Sequence, residues 1–201
     1  IVTPGLSAEQ RAFFEQIEHS RDHFFVTGKA GTGKSHLLQY LKSHSKKNLV
    51  VAAPTGVAAI VVGGQTVHSL FKLPPALLDQ EHLPVDPRTR KLLSVVDLVI
   101  LDEISMVRAD LMDAIDQVMR VSKKNRLPFG GAQIVMFGDP YQLPPIVMDE
   151  QHICHFQQVY GGAYFFHAHV WKESEFVTLE LGTIFRQKDS ELVELLNAIR
   201  A

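Results

Sequence analysis

A chain of 201 residues with 46% hydrophobic and 21% charged residues is long enough to bury one sizeable core, and its composition is that of an ordinary globular domain. The formal net charge of −2 gives no bulk attraction for polyanions, so a nucleic-acid partner has to be argued from motifs. The single cysteine, Cys154, excludes an internal disulfide, and no apolar run is long enough for a membrane span; a soluble protein of a reducing compartment is expected, with no membrane partner.

Ser7 followed by Gln10 forms a capping-box pattern, and Ala12, Phe13 and Ile17 recur at helical spacing, which predicts a helix from Ser7 to Glu18. Phe24–Thr27 reads as a buried strand, followed by a helix after Ser35 with Leu37, Leu38 and Leu41 on one face and a polar end at Ser43–Asn48. Leu49–Ala53 is a second buried strand, broken by Pro54-Thr55-Gly56. A short helix over Val57–Val62 follows, then a further element over Thr66–Phe71 that ends at Leu73-Pro74-Pro75.

The proline-rich stretch Ala76–Pro87 reads as a surface loop, Arg88–Val95 as a modest helix and Leu98–Leu101 as a third buried strand. Val107, Leu111, Ile115, Val118 and Val121 mark a long amphipathic helix. Gln133–Phe137 is the fourth strand; Asp139–Tyr160 is expected to be less regular. A helix over His167–Lys172, a strand over Phe176–Leu181 and a last helix over Ser190–Arg200 complete the chain. Strands alternating with helices predict one α/β domain over residues 1–201, its parallel sheet covered on both faces and its ligands at the C-terminal strand ends.

The most informative stretch is Gly28-Lys29-Ala30-Gly31-Thr32-Gly33-Lys34-Ser35, which satisfies G-x-x-x-x-G-K-[ST] between a strand and a helix. Glycines without a Cβ let successive backbone N–H groups converge on an anion, and the following helix adds its positive dipole end. Lys34 would reach the β and γ phosphates of ATP, and the Ser35 hydroxyl would ligate Mg²⁺. After the third strand come Asp102, placed to hold Mg²⁺, and Glu103, placed to take a proton from an attacking water.

The fourth strand ends in Gly138-Asp139-Pro140-Tyr141-Gln142, where Gln142 can sense the γ-phosphate or orient water without adding charge. Glu103 and Gln142 favour hydrolysis over transfer to a small acceptor. Pro54, Thr55, Gly56, Val57, Thr66, His68 and Phe71 combine hydroxyls, helix starts, a histidine and an aromatic that could grip a single strand. Helix capping by Thr55 and Thr66 and a core position for Phe71 fit the same residues equally well. His152, Cys154, His155, His167 and His169 lack the paired spacing of a zinc site.

G-K-A-G-T-G-K-S, A-P-T-G-V-A-A, G-Q-T-V-H-S-L-F, D-E-I-S-M, G-D-P-Y-Q-L-P-P and I-F-R-Q, in this order, resemble the Pif-type DNA helicases, near the RecD-like branch of helicase superfamily 1. The resemblance spans Ser7 to Arg200, and Ile104–Val107 with the helix after them resemble that family's signature segment. It implies an ATP-driven motor moving 5′-to-3′ on single-stranded DNA and opening duplex junctions, with this chain as the first RecA-like P-loop domain and a second RecA-like domain in the full-length protein. It also implies that Gln10 reads adenine, that Arg186 contacts the γ-phosphate, and that Thr55, His68 and their neighbours contact the strand. The planar donor fork of an arginine independently suits phosphate oxygens. An ATP-gated DNA-binding module without translocation is the alternative reading. The expected compartment is the bacterial cytoplasm, or the nucleus or mitochondrion in a eukaryote.

Overall fold

The computed structural model describes residues 5–78, 83–147 and 149–183. Ser7 opens helix α1 (Ala8–His19): its hydroxyl accepts from the Gln10 N–H at 3.1 Å, and Gln10 Oε1 accepts from the Ser7 N–H at 3.2 Å, which closes the capping box. Then follow β1 (His23–Gly28), α2 (Lys34–His44), β2 (Leu49–Ala53), α3 (Gly56–Val62), β3 (Gln65–Thr66), α4 (Val67–Phe71), α5 (Pro87–Leu93) and β4 (Leu98–Leu101). The remainder is α6 (Ala109–Lys123), β5 (Gln133–Phe137), α7 (Glu150–Val159), α8 (His169–Glu173) and β6 (Phe176–Leu181).

The six strands form one sheet in the order β3-β2-β4-β5-β1-β6, with every pairing parallel. Side chains alternate between two cores. Phe24, Val26, Leu98, Ile100, Val135 and Phe137 meet Ile17 of α1 and Leu37, Leu38 and Leu41 of α2. On the other face, Phe25, Val99, Leu101, Ile134 and Met136 meet Leu70 and Phe71 of α4, Leu93 of α5, and Met112, Ile115 and Met119 of α6. Every residue of β4 and β5 is buried, which explains why Leu98–Leu101 and Ile134–Phe137 read as unbroken apolar runs. Among the described residues no helix is long and apolar enough to cross a membrane.

Several boundaries differ from the sequence reading. The stretch expected to be irregular contains α7, started by Asp149, whose carboxylate accepts from the His152 N–H at 2.8 Å, and anchored by Phe156 against the core. The signature helix begins at Ala109, because Ile104–Met106 form a separate 3₁₀ turn. The helix expected over His167–Lys172 is split into a 3₁₀ turn, Phe165–His167, and α8. The helix expected over Ser190–Arg200, and Arg186, lie outside the described residues.

Candidate active site

Register sets the site. Val26 pairs with Phe137 and Leu101 with Met136, so the C-terminal ends of β1, β5 and β4 lie level and side by side. From β1 the chain enters the glycine loop. A Cβ on Gly28 would come within 2.7 Å of the Leu181 carbonyl oxygen and 2.8 Å of Thr32 Oγ1, so only glycine fits where the loop leaves the sheet. Gly31 and Gly33 have φ of 83° and 87°, the left-handed conformation from which backbone N–H groups form an anion nest.

Gly33 starts α2 without a side-chain cap, which leaves the first N–H groups of the helix for a ligand. Lys29 and Ala30 are exposed at the tip, and the Thr32 hydroxyl closes the loop on the Lys29 carbonyl at 2.8 Å. Lys34 Nζ donates to the carbonyls of Gly28 at 2.6 Å and Lys29 at 3.2 Å, so the ammonium is held on the loop by weak acceptors that phosphate oxygens can replace. Ser35 is exposed on the first turn of α2.

Asp102 continues the ladder at the end of β4, its N–H donating to the Ala52 carbonyl at 2.9 Å. Desolvation by burial pushes its carboxyl up to about 6, and the charge of Glu103 adds to this; the Glu103 N–H and the Lys34 ammonium oppose it. Asp102, a desolvated carboxylate next to a second acid, and the Ser35 hydroxyl are hard oxygen donors of the kind a divalent cation such as Mg²⁺ takes. Glu103 sits at φ 49°, ψ 46°, left-handed and unusual for a side chain with a Cβ. Next to it, from β5, comes Asp139, 3% exposed, whose carboxylate accepts from the Tyr141 N–H at 3.1 Å and from Gln142 Nε2 at 3.4 Å. Gln142 is exposed and held over this turn.

Gln10, 1% exposed, donates from Nε2 to the Gly33 carbonyl at 3.1 Å, which ties α1 to the loop. Its amide uses one N–H and one acceptor site in these contacts. The expected strand contacts cluster where β2 and β3 end. Pro54 and Thr55 are half-buried, while Gly56 and Val57 are exposed. The Thr55 hydroxyl caps α3 by accepting from Ala58 N–H at 3.2 Å, and the Thr66 hydroxyl caps α4 by accepting from Ser69 N–H at 3.1 Å. His68 Nδ1 lies 3.3 Å from the Leu73 carbonyl oxygen, which makes Nδ1 the donor. Phe71 is a correction: at 1% exposure it belongs to the core under the sheet and has no face on which a base could stack.

Two features escaped the sequence reading. Asp139 organises the Gln142 turn, and its position at a C-terminal strand tip was the available signal. Asp110, fully buried, takes Arg108 Nε at 2.9 Å and Nη2 at 2.8 Å as well as the Leu78 N–H at 3.1 Å, and Arg108 Nη2 also reaches the Ala76 carbonyl at 2.8 Å. This clamp fastens the loop after α4 to the start of α6; an acid and an arginine two residues apart carry no such signal.

A family model described as PIF1-like helicase matches residues 5–197. The ATP-dependent DNA helicase RRM3 of Saccharomyces cerevisiae is 35% identical over 209 residues, covering 97% of this chain and 27% of that protein. The ATP-dependent DNA helicase PIF1 of Homo sapiens is 37% identical over 201 residues, covering 98% of this chain and 30% of that protein. The crystal structure of Pif1 helicase from Bacteroides in complex with ADP-AlF3 and ssDNA superposes with a TM-score of 0.90 at 42% identity, over 98% of this chain and 46% of that one. The chain thus spans less than a third of these curated relatives and about half of the solved chain.

Proposed function

This chain belongs to the PIF1-like helicase family, and from that membership we propose that it is the ATP-binding motor domain of a DNA helicase that couples hydrolysis of Mg-ATP to 5′-to-3′ movement on single-stranded DNA and to opening of duplex junctions. The observation that carries the reading is the convergence of the glycine loop, the Asp102–Glu103 pair and the Asp139–Gln142 turn at the level ends of three adjacent strands. The loop N–H groups and Lys34 hold the triphosphate, and Lys34 leaves its loop carbonyls to do so. Ser35 and Asp102 would hold magnesium, which would supply positive charge to offset the charge developing on the phosphoryl group. Glu103 accepts the proton of the attacking water, Gln142 orients that water or reads the γ-phosphate, and Arg186 contacts the γ-phosphate. Gln10 reads the base, beside the Gly33 carbonyl it already bonds.

Pro54, Thr55, Gly56, Val57, Thr66 and His68 form the strand-contacting edge. Asp102 bonds to β2 directly before Ala53 and Pro54, so nucleotide chemistry and strand contact share one sheet edge. The full-length protein is proposed to carry a second RecA-like domain that closes over the nucleotide. The test is ATP turnover by the full-length protein with and without a long single-stranded oligonucleotide. Strong stimulation is expected, because a motor must couple turnover to its track; binding of ATP and DNA without stimulated turnover points to an ATP-gated binding module instead.

A further inference from the structure

Ser105 is completely buried, and its hydroxyl has no hydrogen-bond partner among the described residues. Three other side chains there have such an orphan atom, Gln117, Ser122 and Ser174, but Ser105 alone adjoins the acid pair. An unpaired buried hydroxyl disfavours the folded state, so it calls for a physical reason. Its surroundings supply one. Ser105 lies in the 3₁₀ turn Ile104–Met106, which is closed by Met106 N–H donating to the Glu103 carbonyl at 3.1 Å and Val107 N–H donating to the Ile104 carbonyl at 3.0 Å. The same turn holds Glu103 in its left-handed conformation.

The turn is pressed against Gly138. A Cβ there would lie 2.8 Å from Ile104 Cγ2, 3.0 Å from the Ile104 nitrogen and 3.5 Å from the Ser105 nitrogen. The turn that follows Glu103 therefore packs, through Ile104 and the Ser105 backbone, against the segment that leads into Asp139 and Gln142. A strained carboxylate residue, an unpaired hydroxyl and a contact only glycine allows meet at one joint.

We infer that Ser105 is a positioning residue for Glu103: its hydroxyl gains a hydrogen bond when the Asp139–Gln142 turn draws in on the γ-phosphate, and that bond fixes the turn carrying Glu103 for attack by water. The inference rests on the proposed role of Glu103. A hydroxyl suits the joint because it can donate to one segment and accept from another as the two shift. The bond forms in the closed state alone, so it adds nothing to binding of Mg-ADP, which has no γ-phosphate for the turn to close on.

The experiment compares wild type and Ser105→Ala in the full-length protein by DNA-stimulated turnover, by affinity for Mg-ADP and for Mg-ADP with aluminium fluoride, and by thermal melting. The expected result is turnover lowered about 10-fold and aluminium fluoride complex weakened about as much, with Mg-ADP affinity within about twofold and a melting temperature equal or higher. Unchanged turnover and unchanged aluminium fluoride affinity overturn the inference; so does a lowered melting temperature with both nucleotide states weakened alike, which marks a packing role. If the wild type binds Mg-ATP but does not hydrolyse it, the proposed function falls and takes this inference with it. An active wild type with an unaffected variant removes the inference alone.

Discussion

Lys34, Asp102 and Glu103 have separable signatures. Lys34→Ala is expected to abolish tight Mg-ATP binding while leaving the fold intact, because the Gly28 and Lys29 carbonyls that the ammonium bonds are loop groups that water can serve. Isothermal calorimetry decides this, and unchanged affinity would put the nucleotide elsewhere. Glu103→Gln keeps the shape of the side chain but cannot accept a proton, so nucleotide binding should persist in the full-length protein while turnover falls by about 10²-fold or more. Turnover near the wild-type rate would make Glu103 structural. The raised carboxyl of Asp102 gives a stability prediction of definite sign. Well below pH 3.8 it is protonated in both folded and unfolded chains. Between about 4 and 6 the folded protein holds a proton the unfolded chain has released, so ligand-free stability falls as pH rises, and the penalty is constant above 6. Asp102→Asn should therefore raise ligand-free stability at pH 7 to 8 by about 1–2 kcal/mol, and should have no effect near pH 3.5. A melting-temperature difference flat across that range would count against the burial argument.

At the scale of elements, the clamp from Arg108 and Asp110 does what neither helix propensity nor the sheet ladder can: it holds the segment after α4 against α6. Removing the carboxylate leaves a partly buried guanidinium with the Ala76 carbonyl but no counter-charge, and takes the acceptor from the Leu78 N–H. Asp110→Ala is expected to lower unfolding stability by about 3 kcal/mol, measured by urea denaturation. A loss below about 1 kcal/mol would mean that water readily replaces the carboxylate. The two threonine caps belong to this scale too. Their hydroxyls are already committed to Ala58 and Ser69 N–H groups, so strand contact at Thr55 and Thr66 has to use the remaining hydroxyl proton or the nearby helix N-termini.

For the whole molecule, the proposed site opens towards the place where a second RecA-like domain is proposed to close. The 201-residue chain alone is expected to bind nucleotide, hydrolyse it slowly, respond little to single-stranded DNA and unwind nothing. Water in an open cleft screens the loop and Lys34, and an arginine contributed across a cleft is worth about 10³ to 10⁵ in rate in related phosphoryl transfer. The net charge of −2 adds no general attraction for DNA. Steady-state hydrolysis beside a fluorescent unwinding assay tests this; fast, DNA-stimulated turnover by the chain alone would mean that it is a complete motor.

The sequence by itself determined the alternation of strands and helices, the double cover of the sheet and the glycine loop between β1 and α2, because those signals are local. Unbroken apolar runs follow from burial on both faces, and the glycine spacing follows from the contacts a phosphate loop must make within eight consecutive residues. Tertiary structure alone decided the rest. Phe71 had equal claims to core and surface until α4 packed under the sheet, and α7 was hidden by polar residues because Asp149 and Phe156 act through a cap and a core assembled elsewhere. Lys47, read as part of a polar helix end, donates to the Ile17 and Ser20 carbonyls at 2.6 and 2.8 Å and to Gln133 Oε1 at 2.7 Å, joining three distant segments. The left-handed Glu103, the buried Asp110 and the orphan hydroxyl of Ser105 are of the same kind. Each depends on burial under segments from elsewhere in the chain, and such sums over space leave no periodicity or motif along it.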